Sequence, residues 1–152
     1  WGTEYSFRVD YKQEEIANYL SSLGVDLIIG AHPHVIQTVE SINEGKTFVV
    51  YSLGNFISDQ DDVDNFTGLA FEVTLRKYVD VDDSVTNSIV DPKAELVYTT
   101  TVKRGGVNHE FRVIPYPQLN NYQLPNYPTY YEKYKAIVNE RYPDLHWGLT
   151  CE

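Results

Sequence analysis

The alternation of apolar and polar positions near the start of the chain predicts a helix followed directly by a buried strand. Residues 12–23 carry apolar side chains at the spacing of one helical face, namely Ile16, Tyr19, Leu20 and Leu23. Asp10 and Gln13 are placed to form an N-terminal capping box. Gly24 supplies a C-terminal stop, and the apolar run 25–29 then predicts a buried strand.

The middle of the chain is predicted to be rich in β-structure. Residues 35–53 read as two strands joined by a turn at 43–45, and residues 69–75 alternate as a third strand. The polar and acidic segment 78–92 is predicted to be a long exposed loop. A further hairpin is predicted around two adjacent glycines, from residues 95–103 and 107–115.

The last part of the chain is predicted to be a linker followed by a helix. Residues 116–128 are rich in proline, tyrosine and asparagine, and a helix is expected over 130–141 with Thr129 and Glu132 as its capping box. Its tyrosines are expected to fill a seam against the sheet. We therefore predict an α/β fold with a β-rich middle and a C-terminal helix, divided into residues 1–115 and a packed tail, 116–152.

Composition and charge exclude several classes of protein. With a net charge of −10 the chain has no basic patch, which disfavours nucleic acid as a partner. No apolar run of about 18 residues is present, so no membrane-spanning helix is predicted within the sequence. Cys151 is the only cysteine, so no intrachain disulfide can form, and nothing supports it as a nucleophile.

The segment His32-Pro33-His34 carries the most informative chemistry in the chain. In an extended backbone two residues at i and i+2 project to the same side, about 6.6 Å apart at Cα. Pro33 favours an extended conformation for His32, so the two imidazoles are expected to be held ready for a metal ion. Packed or surface histidines fit the same pattern, and the preceding strand and Gly30 favour the metal-ligand interpretation.

Three segments resemble the bacterial capsule-biosynthesis proteins of the CapA type, which are associated with poly-γ-glutamate. They are Trp1-Gly2-Thr3-Glu4-Tyr5, the stretch from Gly30 to Gln37, and the stretch from Tyr51 to Ile57. Through that family the chain is similar to the calcineurin-like metallophosphoesterases, whose signature includes a Gly-His-X-His loop. Here Ala31 takes the place of the glycine directly before the first histidine.

The resemblance implies an α/β sandwich of the metallophosphoesterase type, with His32 and His34 as ligands of divalent ions such as Mn, Fe or Zn. The family's other ligands are expected upstream of Trp1, so the chain is interpreted as the C-terminal part of a longer protein. Alone it is expected to hold an incomplete or empty site and to be inactive.

Three interpretations of the complete protein remain open at this point. The first is metal-assisted phosphoester chemistry in capsule synthesis, the second a non-catalytic assembly or export component, and the third a generic metallophosphodiesterase. The expected location is the outer face of the bacterial membrane, through an anchor outside this sequence. The expected partners are the N-terminal part of the same protein and capsule-synthesis membrane proteins, and an exposed sheet edge suggests self-association of the isolated chain.

Several other polar side chains are candidates for the same site. Glu4 is suited either to orienting a ligand or substrate hydroxyl or to pairing on the surface. Asn55 is suited either to the mouth of the site or to forming a turn. The aspartates of residues 59–64 are interpreted as a solvated acidic loop rather than a cation site.

Overall fold

The computed structural model of the protein describes residues 1–149, and Cys151 lies outside the described residues. Three α-helices and seven strands are present in this part of the chain. In order they are α1 (Tyr11–Ser22), β1 (Leu27–Ile29), β2 (Val39–Ile42), β3 (Thr47–Val50), α2 (Val63–Phe66), β4 (Thr67–Val79), β5 (Val85–Arg104), β6 (Val107–Pro115), α3 (Tyr127–Val138) and β7 (His146–Trp147). None of the helices in residues 1–149 combines the length and apolar character needed to span a lipid bilayer.

The first sheet has three strands in the order β1-β3-β2. β3 is buried along its whole length and runs parallel to β1, with Leu27 opposite Phe48. β2 and β3 form the predicted hairpin, antiparallel with Val39 opposite Val50, and the turn at residues 43–46 lies where the sequence indicates it. β3 is the central strand of this sheet, and both of its faces are covered. A run of apolar side chains suits such a position.

The second sheet is built on the long strand β5, which pairs with β4 and β6 in antiparallel fashion and with β7 in parallel. The outer ends of β4 and β5 form a two-stranded ribbon that is largely exposed to solvent. The two sheets meet at an isolated bridge between Gly54 and Gly68. A Cβ atom on Gly68 would lie 2.3 Å from the carbonyl oxygen of Asn55, so only glycine permits this close approach.

One hydrophobic core lies between the two sheets. It combines side chains from both sheets and from α3, including Val39, Val50, Leu69, Leu96, Tyr134 and Val138. The predicted tyrosine seam is confirmed, since further tyrosines of α3 pack against this core: Tyr127, Tyr130 and Tyr131. A second cluster, which includes Ala17 and Val49, joins α1 to the opposite face of the first sheet. The result is the predicted α/β sandwich, while the division at residue 115 stays a prediction.

Helix α1 begins with the predicted capping box but buries a different face from the one predicted. Asp10 accepts from the backbone N–H of Gln13, whose side chain accepts in return from the N–H of Asp10. The side chains buried against the sheet are Gln13, Ala17 and Ser21. The predicted apolar face is only partly buried, since Leu20 packs against the second cluster whereas Tyr19 and Leu23 are 63% and 64% exposed.

Two further predictions of local structure are wrong. Residues 85–92 are not a loop but the first part of β5, which pairs with β4 through the ladder from Thr74–Val90 to Val79–Val85. Helix α3 starts at Tyr127, with Asn126 at its N-cap and no capping hydrogen bond from the Asn126 side chain. Pro128 in the first turn explains this earlier start, because proline is well tolerated where backbone N–H groups have no helical partner.

Two buried polar contacts fix α3 to the rest of the fold. The hydroxyl of Tyr131 donates to Glu95 at 3.0 Å, and the buried Tyr134 hydroxyl donates to Asp64. Burial raises the pKa of the Glu95 carboxyl and also that of the Tyr134 hydroxyl. Both tyrosines therefore act as hydrogen-bond donors that attach the helix to acidic side chains of β5 and α2.

Candidate metal site at the histidine loop

The histidine loop, residues 30–34, follows directly from the carboxyl end of β1. Gly30 continues the pairing with β3, because its N–H donates to the carbonyl of Val50 at 2.7 Å. A Cβ atom on Gly30 would lie 2.1 Å from Trp1 Nε1 and 2.2 Å from the Tyr51 carbonyl oxygen. Gly30 is thus required by the indole that packs across the start of the loop.

The first five residues of the chain are attached along the histidine loop. The main-chain nitrogen of Trp1 donates to the Ala31 carbonyl, and the backbone N–H of Tyr5 donates to the Pro33 carbonyl, both at 2.8 Å. The Trp1 indole donates to the Tyr51 carbonyl at 2.7 Å. The segment of the capsule-family resemblance nearest the N-terminus therefore forms one wall of the histidine loop.

The backbone of the loop is bent, and the predicted extended conformation is wrong. His32 has φ of +103° and His34 has φ of +60°, both in the region that disfavours side chains with a Cβ atom. Backbone strain of this kind costs about 1–3 kcal/mol per residue and persists only where the surroundings fix the conformation. The hydrogen bonds from the N-terminal segment and from Asn55 provide that fixation.

Asn55 is the centre of the hydrogen-bond network around His34. Its Oδ1 atom lies 3.0 Å from His34 Nδ1. Its Nδ2 atom has four hydrogen-bond partners, which are the carbonyls of His34 and Asn65, the side-chain oxygen of Gln60 and the hydroxyl of Ser58. The Asn55 side chain thus lies beside His34 and links the two longer sequence motifs.

This network determines the tautomer of His34. Because the carbonyls of His34 and Asn65 can only accept, Asn55 Nδ2 must face them and its Oδ1 must face the imidazole, so His34 Nδ1 carries the proton. The lone pair of a neutral His34 is then on Nε2. A hydrogen bond of this type to the other ring nitrogen is the usual arrangement of a metal-binding histidine.

Glu4 faces the free nitrogen of His34. Its Oε1 atom lies 3.9 Å from His34 Nε2, which is too far for a hydrogen bond. A metal ion bonded to both atoms would need about 2.1 Å to each, so a separation below about 4.2 Å allows one ion to contact both. A carboxylate at this position would also form an ion pair with a protonated imidazole. Glu4 is therefore suited to contact either a metal ion on His34 or the His34 imidazolium itself.

His32 lies beside His34, with their ring centroids 6.2 Å apart. No cluster of three or more histidine, cysteine or acidic side chains suited to a metal ion occurs in residues 1–149. The possible donor side chains that the described chain brings near one another are His34, Glu4 and His32.

Tyr5 and Gln60 belong to the same site, although the sequence analysis gave them no role. The Tyr5 ring stacks on the His34 imidazole with centroids 5.9 Å apart, and its hydroxyl accepts from Gln60 Nε2 at 3.3 Å. Asn65 also donates to the His34 carbonyl. In the sequence, Tyr5 stands out only as a member of the N-terminal motif. A stacking contact between residues about 30 positions apart leaves no local sequence pattern that would predict it.

The aspartates after Ile57 were predicted to form a solvated loop, but three of them make specific contacts at and around α2. Asp62 accepts from the N–H of Asn65 and so begins α2, while Asp59 accepts from the side chain of Asn108. Asp64 pairs with Lys133 at 2.7 Å. These carboxylates hold α2 and its neighbours in place and do not converge with Glu4 on His34.

Comparisons with known proteins find similarity in the part of the chain that forms this site. The family described as "Bacterial capsule synthesis protein PGA_cap" matches residues 1–60. The "PGA biosynthesis protein CapA" of Bacillus subtilis (strain 168) is 43% identical over 60 residues, which are 40% of this chain and 15% of that protein. The "Capsule biosynthesis protein CapA" of Bacillus anthracis is also 43% identical over 60 residues, 40% of this chain and 14% of that protein.

The match thus spans about one seventh of the length of these curated relatives. No solved structure matches the chain. The matched residues include α1, the first sheet, the histidine loop and Asn55, and hence most of the side chains around His34, although not Asn65. Residues 1–60 are therefore similar to the bacterial capsule synthesis protein family PGA_cap.

Proposed function

We propose that the protein acts in the synthesis of a bacterial capsule, of the poly-γ-glutamate type, and that its histidine loop contributes ligands to a divalent metal site. The observation that carries the proposal is the orientation of His34, whose Nδ1 is held by Asn55 while its Nε2 faces Glu4. The names of the matched relatives support the capsule role.

The residues present fit a metal of the Mn, Fe or Zn type. Imidazole nitrogen and carboxylate oxygen are ligands that these ions share. His34 and Glu4 would hold the ion, with His32 as a further ligand, and a bound ion would supply Lewis acidity at a phosphate or related ester. Asn55 keeps the imidazole in the binding tautomer, and the stacked Tyr5 ring limits its rotation.

The first test is metal binding by the purified chain. Titration with Zn²⁺ and with Mn²⁺ is expected to show at most one weakly bound ion per chain, and His34→Ala should abolish the binding. His109→Ala is the matched control, because His109 is an exposed histidine on β6 outside the site. Binding of two stoichiometric ions, or equal binding by the His34 and His109 variants, would contradict the proposal.

The second test separates the enzymatic role from a non-catalytic role in capsule assembly or export. His32→Ala and His34→Ala are introduced into the longer protein in a capsule-forming host, and capsule yield is measured beside hydrolysis of a panel of phosphoesters. Loss of both activities supports metal-assisted chemistry. Retention of both capsule formation and hydrolysis in the two variants would refute it, and loss of hydrolysis alone would favour the generic phosphodiesterase. We also propose the bacterial cell surface as the site of action, which fractionation of the same host tests.

A further inference from the structure

Strand β1 lies at an edge of the first sheet and has one neighbour in the described part of the chain. It pairs in parallel with β3 only. Asp26 and Gly30 bond with the β3 side through their backbone groups. In a parallel strand the backbone N–H and C=O groups of successive residues point alternately to the two sides. Leu27 and Ile29 therefore direct theirs to the side of β1 away from β3. The outer side of β1 therefore offers backbone groups for another strand.

The apolar face of α1 overhangs this open edge. The helix packs its small and polar side chains, Gln13, Ala17 and Ser21, on the existing sheet. Its larger apolar side chains lie to the side, and Tyr19 and Leu23 are mostly exposed. An amphipathic helix is stabilised by burying its apolar face, and this one buries an adjacent face while its own apolar face is only partly covered.

The strand edge and the helix face are joined by an apolar groove of about 250 Å³. Its walls are mainly the side chains of Trp1, Ile16, Leu20, Ile28 and Ile29, and no charged residue contributes to it. Ile29 is 54% exposed. Natural proteins usually protect an open edge with charges, proline or a covering element, and β1 has none of these in its sequence Leu-Ile-Ile. We call the groove and the outer side of β1 the β1 edge surface.

We propose that the β1 edge surface binds an extended apolar strand that runs parallel to β1 and lies beneath the apolar face of α1. A helix that precedes a strand in an α/β fold covers that strand and its parallel neighbour. Helix α1 directly precedes β1 and leaves uncovered the side where that neighbour would lie.

The occupant is a segment of the capsule-family polypeptide rather than a second copy of this chain. The 60 matched residues, which contain both α1 and β1, are 15% of the Bacillus subtilis relative. That relative therefore has ample further sequence to supply a strand for the same edge. A parallel strand would also end beside Trp1, whose indole packs across the start of the histidine loop.

The test is co-expression of this chain with the Bacillus subtilis relative from which the 60 matched residues are deleted. Co-purification is measured for the wild-type chain and for Ile29→Lys and Leu20→Glu, which place a charge in the groove. Leu75→Glu is the matched control, because Leu75 is a 73% exposed leucine on the distant β4 ribbon. Circular dichroism and thermal unfolding of each variant establish that it is folded.

The wild type and Leu75→Glu are expected to retain the partner, and the two groove variants to bind it at least about tenfold more weakly, since burying a charge costs more than 1.4 kcal/mol. Ile29→Lys alone decides the result if Leu20→Glu does not fold. Absence of capture by the wild type, or equal capture by all variants, overturns the proposal. A second result would also overturn it: the wild-type chain sediments as a dimer, Ile29→Lys dissociates this dimer, and addition of the partner does not. The outcome does not depend on metal binding at His34, so this inference and the proposed function fail separately.

Discussion

The imidazole Nδ1 of His34 and the side-chain Oδ1 of Asn55 lie 3.0 Å apart, although 21 residues separate them in the chain. This contact joins the loop after β1 to the turn after β3, and these two strands are parallel neighbours. The two motifs meet because the carboxyl ends of neighbouring parallel strands lie at the same edge of a sheet.

Substitution of Asn55 should weaken metal binding without removing a ligand. Asn55→Ala releases the His34 ring and leaves its tautomer unfixed, so the affinity for Zn²⁺ is expected to fall about 10- to 100-fold. Calorimetric titration measures the change. Asn87→Ala, at an exposed position on β5, is the control, and an Asn55 variant with unchanged affinity would show that the contact does not orient the imidazole.

A methyl group at Gly30 should destabilise the fold strongly. Gly30→Ala places Cβ against the Trp1 indole and the Tyr51 carbonyl, and we expect a loss of about 3 kcal/mol in the free energy of unfolding. Gly24→Ala is the comparison, because Gly24 has φ of +86° but no atom within 4 Å of the added Cβ. Its expected cost is about 1–2 kcal/mol, from backbone conformation alone. Equal costs in urea unfolding would contradict the packing explanation.

Loss of the Tyr134 hydroxyl should loosen the attachment of α3. Tyr134→Phe removes a buried hydrogen bond to the Asp64 carboxylate, which is expected to cost about 2 kcal/mol and to lower Tm by about 4–8 °C. Tyr122→Phe removes a hydroxyl from a side chain that is 98% exposed, and should leave Tm unchanged. A Tm for Tyr134→Phe equal to that of Tyr122→Phe would exclude a structural role for the contact.

The stability difference between the wild type and Glu95→Gln should depend on pH. Burial raises the pKa of Glu95, so the folded state binds its proton more tightly than the unfolded state does. The contribution of Glu95 to stability is therefore fully present below the ordinary glutamate pKa and is lost as pH rises through the raised value.

Glu95→Gln keeps an oxygen to accept from Tyr131 and removes this dependence, so it should stabilise the protein at pH 7 more than at pH 4. Denaturant unfolding at the two pH values measures the difference. Glu132→Gln, on the exposed side of α3, controls for the loss of one negative charge. A difference that is the same at both pH values would contradict the assignment.

Features encoded by neighbouring residues were predictable from the sequence. The capping box of Asp10 and Gln13 and the hairpin turns at residues 43–46 and 105–106 depend on local chemistry, and all are present. The second half of the ribbon was missed because residues 85–92 have few apolar side chains. Strand pairing there rests on backbone hydrogen bonds in an exposed ladder, which leaves little alternation to detect.

The site was predictable in its residues but not in its geometry. His32, His34, Glu4 and Asn55 do lie near one another, and the comparisons match the segments that contain them. The conformation of the loop was not predictable, because the strained φ values of the histidines are imposed by contacts with the N-terminal segment and with Asn55. The burial of α1 likewise depends on where the sheet ends rather than on the helix sequence.

The contact of Gly68 with Asn55 makes the second sheet a support for the histidine loop. The bridge between Gly54 and Gly68 presses β4 against the turn that carries Asn55, and any side chain at position 68 would push that turn outward. Displacement of Asn55 would in turn release the His34 ring. The close approach of Gly54 and Gly68 thus sets the position of the His34 imidazole, which neither glycine touches. Gly68 lies beyond the matched segment, so residues outside that segment set the alignment of a histidine within it.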